Sequence, residues 1–254
     1  MKAIARRAAL TAAVVSATLA VPAVADQGNS VSLSPAVAGK GSTATLDVTP
    51  PQHAGDTNPQ SVVVRVARGF KFDPVAVSAR CDQSHAKANT CPAKSKIGGG
   101  TADITVSTSA GLNAEKLTAA VDMFVAPPPQ AGDVSGVVVH FKEPQTGQQG
   151  SVTGRIVKEA SGQFGLDSRF DGLDKSFKPP AGFKVRLDHL HVTFGASRTV
   201  KKTVKKHGKK KTKKVRHNLV TNAPTCSGSW PYEVQINWSD QPFSSPGSVA
   251  CSAH

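Results

Sequence analysis

The sequence predicts an all-β protein: an antiparallel β-sandwich of one or two sandwich lobes, with a protruding Lys-rich β-hairpin. About ten short segments place apolar residues at every second position, which is the period of a half-buried strand. Glycines and prolines separate these segments, and the chain of 254 residues contains 22 Gly and 17 Pro. No segment repeats apolar residues at the period of an amphipathic helix. Many short strands with frequent turn residues are typical of antiparallel sandwiches.

The first 25 residues form a predicted secretory signal peptide. Three basic residues precede an alanine-rich apolar run that closes with Ala23-Val24-Ala25. The alternative is a membrane anchor, since a helical span needs about 20 apolar residues. Pro22 and the small residues at the closing positions favour cleavage. We therefore expect a secreted or envelope-associated protein whose residues 26–254 form a single sandwich domain.

The predicted strands follow a lead-in, residues 26–40, whose Ser, Gly and Ala content predicts irregular structure. Val62, Val64 and Val66 share one strand face, and residues 232–238 show an equally regular alternation. The triple glycine at 98–100 predicts a turn, because its spacing does not match a nucleotide-binding loop. The predicted strands comprise residues 43–48, 61–67, 101–107, 117–125, 134–142, 151–159, 183–194 and 232–238, and Phe70, Phe72 and Val75 are expected to continue the apolar surface in an extended segment.

The longest strand pattern, residues 183–194, changes phase in its middle. Its apolar residues have odd numbers from Phe183 to Leu187 and even numbers from Leu190 to Phe194. Because side chains alternate between the two faces of a strand, one extra residue is needed to keep both sets on the same face. The sequence therefore predicts a β-bulge near Asp188 and His189.

The positive charge of the protein is concentrated in residues 198–216, here called the basic arm. Removing the three basic residues of 1–25 lowers the net charge from +14 to +11, and the basic arm contributes 11 Lys and Arg without a carboxylate. The rest of the exported chain is therefore formally neutral. A neutral body with one charged segment indicates a localised electrostatic contact. The predicted polyanion-binding residues are Arg198, Lys201, Lys202, Lys205, Lys206, Lys209, Lys210, Lys211, Lys213, Lys214 and Arg216.

The basic arm has a mirror pattern that predicts a β-hairpin. If His207-Gly208 is a two-residue turn, Val200 faces Val215 and Thr203 faces Thr212. Matched cross-strand pairs favour a ribbon over an unstructured tail. The same register places lysines opposite lysines, and a lone two-stranded hairpin is marginally stable in water. We therefore expect the tip of the hairpin to fray at low salt and to become ordered on a multivalent anion.

The four cysteines predict two disulfides. An even number of cysteines in an exported chain is typical of an oxidising compartment, and three connectivities are possible. Proximity favours Cys81 with Cys91 and Cys226 with Cys251. Zinc is the alternative, but the chain lacks the closely spaced C-x-x-C pairs of common zinc sites.

Two sequence patterns resemble a catalytic motif or a set of metal ligands. Ser84-His85-Ala86-Lys87 matches S-x-x-K, but it lacks the partner motifs of penicillin-recognising enzymes and lies in a predicted polar loop. His189 and His191 share a strand face and could bind a metal, with His140 as a third ligand. Paired strand histidines are more often packing or surface residues. We therefore predict a protein that is not an enzyme and that has no metal or other cofactor.

The motifs around the cysteines support a distant resemblance. Gly69-Phe70, Phe72-Asp73-Pro74, the segment CPAKSKIGGGTA that begins at Cys91, and TCSGSWP that begins at Thr225 carry it. With these motifs the chain resembles a group of uncharacterised secreted proteins of high-GC Gram-positive bacteria. The resemblance implies an exported β protein and assigns neither an activity nor functional residues.

The sequence thus predicts a non-enzymatic secreted or envelope-associated protein whose basic arm contacts a polyanion: a wall polymer, an anionic lipid surface or nucleic acid. Sequence-specific nucleic-acid recognition is not expected, because lysines act mainly as point charges on phosphates. The alternatives are a purely structural surface protein without a polyanion ligand and a metal-dependent enzyme that uses His189 and His191.

Overall fold

A computed structural model of the chain describes residues 28–51, 58–145, 147–176, 181–206, 209–239 and 242–254. It confirms the all-β fold, since the α-helices of the described residues, α1 (Gln83–Lys87) and α2 (Leu173–Ser176), contain only five and four residues. No helix within these ranges is long and apolar enough to cross a membrane. The strands are β1 (Ser30–Ser34), β2 (Gly41–Val48), β3 (Ser61–Ala67), β4 (Lys71–Phe72), β5 (Lys96–Thr108), β6 (Glu115–Ala126), β7 (Ser135–Lys142), β8 (Gln149–Lys158), β9 (Phe164–Asp171), β10 (Phe183–Phe194), β11 (Ser197–Lys206), β12 (Lys209–Asn218), β13 (Val220–Thr221), β14 (Ser229–Asn237) and β15 (Pro242–Ala250).

Thirteen of these strands form one antiparallel sheet, and β11 and β12 form a separate two-stranded sheet. The large sheet has the order β15-β14-β3-β9-β8-β7-β6-β5-β10-β2-β13-β4, with β1 added beside β2. Strands that are distant in this order pack against each other: Val48 of β2 shares a buried cluster with Val64 of β3 and Val234 of β14. The sheet therefore folds over itself into two facing layers, as expected for a β-sandwich.

The register of the long strand β10 confirms the predicted bulge. Its pairing with β5 is continuous from Phe183 to Leu187, shifts between Leu187 and His189, and then continues to Phe194. The extra residue is Asp188. Because of this shift, Val185 before it and Val192 after it are both buried.

The inward faces of β3 and β14 are those that the alternation predicts. Val64 pairs with Val234, and Val62 pairs with Ile236, so that the two valine-rich rows lie side by side. All four side chains are buried, and Val234 and Ile236 are wholly inaccessible. Burial of these rows against the opposite layer stabilises the body, at about 1.5–3 kcal/mol for each large apolar side chain.

The structure confirms both predicted disulfides. Cys81 pairs with Cys91 across ten residues, and Cys226 pairs with Cys251 across 25 residues. The first closes the segment that contains α1, and the second joins the chain before β14 to the end of β15. No free cysteine is present among the described residues.

Several sequence-based expectations were wrong at the local level. The lead-in that was expected to be irregular contains β1, which pairs with β2 from Ser30 to Ser34. Strand β15 was not predicted, because Pro242, Pro246 and Gly247 interrupt its pattern; it pairs with β14 and has no further partner in the sheet order, and an edge strand tolerates proline.

The triple glycine lies inside strand β5 and not in a turn. A Cβ atom added at Gly98 would collide with the carbonyl oxygen of Thr193, and one at Gly100 with that of His191. The backbones of β5 and β10 therefore approach more closely here than a side chain allows. A Cβ atom at Gly99 would meet the carbonyl oxygen of Val121 on β6, so close packing of β5 against both of its neighbours, and not turn geometry, accounts for the three glycines.

Candidate functional site

The basic arm forms the separate ribbon of β11 and β12. The predicted register is confirmed, since Val200 lies opposite Val215 and Thr203 lies opposite Thr212. The predicted turn, His207-Gly208, lies outside the described residues. The matched valines and threonines thus identified the pairing of the two strands without any information about the rest of the fold.

The base of the arm is fixed to the sandwich by two side chains that lie opposite each other in the ribbon. His217 Nδ1 donates a hydrogen bond of 2.6 Å to Asp73 Oδ2. The other carboxylate oxygen of Asp73 accepts from the backbone of Val75 and so caps the short 3-10 helix Pro74–Ala76. Arg198 Nη1 donates to the carbonyl oxygen of Val77 at 3.4 Å. These contacts orient the ribbon where it leaves the body.

Basic side chains cover both faces of the ribbon. Successive residues of a strand point to opposite faces, and residues paired across an antiparallel ribbon share a face. Each of the arm's basic side chains that the structure describes is exposed. On the face of Val200 and Val215 these are Arg198, Lys202 and Lys213, and on the opposite face they are Lys201, Lys210, Lys214 and Arg216.

The pairing places like charges directly opposite each other. Lys201 faces Lys214, and Lys202 faces Lys213. Directly opposite Cβ atoms are about 4.5–5.5 Å apart, and like charges at that spacing destabilise a ribbon. None of the described lysine side chains of the arm has a carboxylate within ion-pair distance. The ribbon therefore carries an uncompensated positive charge that an external anion would neutralise.

The two strand histidines form hydrogen bonds with carboxylates, and they are not arranged as a metal site. His189 Nε2 and His191 Nδ1 each donate a 2.9 Å hydrogen bond to one oxygen of Asp47 on β2. His189 Nδ1 lies 3.5 Å from Asp103 Oδ2 on β5, so both ring nitrogens of His189 face carboxylates. The hydrogen bond to Asp47 raises the pKa of His189, and burial opposes this only in part. A histidine must be neutral to bind a metal, so the raised pKa of His189 disfavours this residue as a metal ligand.

His140, the proposed third ligand, lies elsewhere. It is on β7, which β5 and β6 separate from β10. Its Nε2 atom lies 3.4 Å from Cys91 Sγ, and burial lowers its pKa. Cys81, Cys91 and His140 lie close enough to share an ion, but both sulfurs are in a disulfide and cannot act as thiolate ligands. The expectation that His140 could join His189 and His191 was wrong.

Ser84 of the S-x-x-K pattern was expected in a polar loop, but it lies in helix α1. Its hydroxyl donates to Asp82 Oδ1 at 2.7 Å, and Asp82 caps the helix through the backbone N–H of His85. That backbone hydrogen bond and the Ser84 hydroxyl hold the pKa of Asp82 far below its usual range. A carboxylate with such a low pKa is a poor general base at neutral pH, so the contact caps the helix and does not activate the serine.

A charged network on the outer face of β3 and β9 was missed by the sequence argument. Asp167 is fully buried and accepts from Arg169 Nη2 at 2.8 Å, and the same nitrogen donates to Glu159. Arg65 Nε lies 3.5 Å from Asp167 Oδ2, and Arg65 Nη1 lies 3.1 Å from Glu233 Oε2 of β14. Burial raises the pKa of Asp167. The sequence feature that could have revealed this network is the occurrence of Arg65 and Asp167 at outward positions of two adjacent strands. The network joins β14, β3 and β9.

Comparisons with protein-family models, with curated proteins and with solved structures find no match for this chain. The resemblance to secreted proteins of high-GC Gram-positive bacteria stays a prediction that rests on the short cysteine-flanking motifs. The geometry and charge of the described residues therefore carry the functional argument. Of the candidate sites, the basic arm is the one whose described charged side chains all favour the same kind of ligand, an anion.

Proposed function

We propose that this is a secreted or envelope-associated, non-enzymatic β-sandwich protein whose basic arm binds a polyanion. The observation that carries the proposal is the pairing of lysines across a ribbon that is fixed at its base and has no carboxylate of its own. An anion that lies along the ribbon would offset the repulsion between paired lysines. The arm would then supply the affinity for the polyanion, and the neutral body would hold the arm in place.

The distribution of charge favours a linear phosphodiester polymer, such as a teichoic wall polymer or a nucleic acid. A planar lipid surface would meet one face of the ribbon and leave the other face's charges in water. The described basic side chains are divided between the two faces, three on one and four on the other. A flexible polymer can contact both faces, and the major groove of duplex DNA is wide enough for a two-stranded ribbon.

The contact is expected to be electrostatic and independent of sequence. The basic arm contains no Phe, Tyr or Trp, so stacking on bases is not available to it. Lysine ammonium groups bind phosphate as point charges and do not read base edges in a bidentate manner. Binding should therefore weaken steeply with salt, because phosphate contacts release condensed counterions.

Two variants of equal net charge test the proposal. The arm variant carries Lys→Gln changes at Lys201, Lys202, Lys213 and Lys214. The control variant carries the same change at four exposed lysines of the body, Lys94, Lys116, Lys158 and Lys184. Affinity for teichoic acid, for single- and double-stranded DNA and for anionic vesicles is measured over a range of salt concentrations.

We expect the arm variant to lose affinity for the polymers and the control variant to retain it. Each lysine that contacts a phosphate contributes about 0.7–0.9 to the slope of log affinity against log salt. The slope of the arm variant should therefore be flatter than that of the control. Equal losses in both variants would refute a role for the arm, and absence of any binding would favour the purely structural surface protein. Tighter binding to vesicles than to polymers would contradict the preference for a linear ligand.

A further inference from the structure

An apolar cavity lies between the two layers of the sandwich. Its volume is about 100 Å³, and its walls come from strands at opposite ends of the sheet order. One wall includes Leu46 of β2, and the facing wall includes Val66 of β3 and Phe170 of β9. The cavity is thus a consequence of how the sheet folds over, and no single segment of the sequence encodes it.

The side chains around the cavity keep accessible surface although they point into the core. Leu46, Val66, Phe170 and Phe194 pack against the buried cluster but are themselves only half-buried. In a close-packed interior, large apolar side chains at such positions lose nearly all their accessible surface. All four residues also line the cavity, so a ligand there would gain dispersion contacts with them.

The polar groups of the cavity wall are few and separate. Three lining residues carry hydroxyls: those of Thr45 and Tyr232 are hydrogen-bonded to Thr193 and to the backbone of Asn29, and half-buried Ser168 has no side-chain hydrogen bond with any described residue. A buried water typically needs two to four polar partners, so the one hydroxyl that is left over holds water poorly. Lys71, exposed on the edge strand β4, is the charged residue among the lining side chains. Because Lys71 is both exposed and part of the lining, we infer that the cavity meets solvent beside this positive charge, at what is here called its mouth.

We propose that this cavity binds the hydrocarbon chain of a single-chain anionic amphiphile, whose carboxylate or phosphate head pairs with Lys71. The chain would lie between the layers, against Leu46, Val66 and Phe170. The aliphatic class follows from the almost wholly apolar wall, and the anionic head follows from the lysine at the mouth. This site is separate from the basic arm, whose ligand binds through charge alone.

The size of the cavity limits the chain. An engineered cavity of about 150 Å³ in another protein holds benzene, which has six carbon atoms. A cavity of about 100 Å³ therefore accommodates a short segment of chain. Each buried methylene should tighten binding about fourfold. The affinity should rise with chain length only until the cavity is filled and then level off.

The fluorescence of Trp230 provides the readout, because this side chain lines the cavity. The purified protein is titrated with butanoate, hexanoate, octanoate and decanoate. Octyl phosphate and 1-octanol have the same chain length as octanoate. Octyl phosphate compares a phosphate head with the carboxylate, and 1-octanol compares a neutral head with it. We expect the steepest gain between butanoate and hexanoate, little further gain to octanoate and decanoate, and binding of 1-octanol about fivefold weaker than that of octanoate.

Variants separate the chain from the head. Val66→Phe should fill the cavity and abolish the octanoate response, and Ala44→Leu is a second filling variant if the first does not fold. Lys71→Gln should weaken octanoate about fivefold and leave 1-octanol unchanged. Lys184→Gln, on an exposed body lysine, is the matched control and should change neither.

Xenon binding, followed by ¹²⁹Xe NMR, tests the cavity itself without an amphiphile, and it should disappear in the folded Val66→Phe variant. The proposal is overturned if xenon does not bind the unmodified protein, or if a folded filling variant retains octanoate affinity. Affinity that is indifferent to chain length, or equal loss in Lys71→Gln and Lys184→Gln, would also overturn it.

Discussion

The sandwich body and the basic arm use the same secondary structure but are stabilised in opposite ways. In the body, paired strands also bury an apolar face against a second layer, as Val234 and Ile236 do. In the arm, Val200 and Val215 are only half-buried, and their neighbours on the same face are lysines opposite lysines. The comparison shows that strand pairing alone specifies a register, whereas stability requires a second layer.

The difference extends to charge compensation. On the body, Arg65 and Arg169 lie within ion-pair distance of buried or half-buried carboxylates, and the body is formally neutral after residues 1–25 are excluded. On the arm, the described lysines have no such partner, and the base is held by His217 on Asp73. The body thus compensates its charges internally, whereas the described part of the arm does not.

The largest expected effect separates the two regions by stability. Ile236→Ala leaves a cavity at a wholly buried position and should lower the free energy of unfolding by about 2–5 kcal/mol. Val200→Ala in the arm removes one half of a half-buried cross-strand pair and should change the free energy of unfolding by less than about 1 kcal/mol. Chemical denaturation of both variants measures this. Comparable losses would show that strand pairing in the arm stabilises the fold as much as burial between layers does in the body.

Hydrogen exchange sharpens the comparison within the arm. Amides of β11 and β12 near the tip should exchange much faster than those of β14, because an isolated ribbon is marginally stable. Addition of a polyanion at low salt should increase protection across Lys205–Lys211 and leave β14 unchanged. Unchanged protection in a titration where binding is demonstrated would refute ordering of the tip by the ligand. High salt serves as the control, since it should remove both binding and protection.

The smallest expected effect concerns His189 in the body. The hydrogen bond to Asp47 raises the pKa of His189 above its value in the unfolded chain. A raised pKa means that the protonated form stabilises the fold, so the contribution is complete below about pH 6.5 and is lost as the pH rises through the folded-state pKa. Its magnitude is at most about 1 kcal/mol, because the pair is partly exposed to solvent.

Comparison of the unmodified protein with His189→Gln between pH 5 and pH 9 measures this contribution. The difference in the free energy of unfolding should be largest at low pH and should shrink as the pH rises. The matched control is His254→Gln, because His254 is exposed and has no ion pair with any described residue. A difference that grows with pH would show that His189 is stabilising in its neutral form.

Much of the fold could be predicted because local patterns suffice for it. Residues 183–194 and 61–67 were assigned the bounds that β10 and β3 have in the structure. The bulge near Asp188 followed from a change of parity. Strands β1 and β15 were missed because short polar or proline-containing edge strands lack such a pattern. The tertiary partner, not the segment itself, makes them strands.

The candidate sites divide in the same way. The hairpin register of the basic arm could be read from the sequence, because a two-residue turn makes the pairing purely local. The contacts of His217 with Asp73 and of His189 with Asp47 join residues more than 140 positions apart. No pattern in one segment contains that information.

The sequence by itself determined the all-β class, the phase of the strands, the two disulfide pairs and the ribbon that concentrates the positive charge. These features depend on alternation, on turn residues and on neighbours close in the chain. Only the tertiary structure decided how the large sheet folds over and which carboxylates form hydrogen bonds with the histidines. It also decided that Leu46 and Phe170 line the same cavity. These features depend on packing between layers, where the partner of each side chain is set by the position of strands distant in sequence.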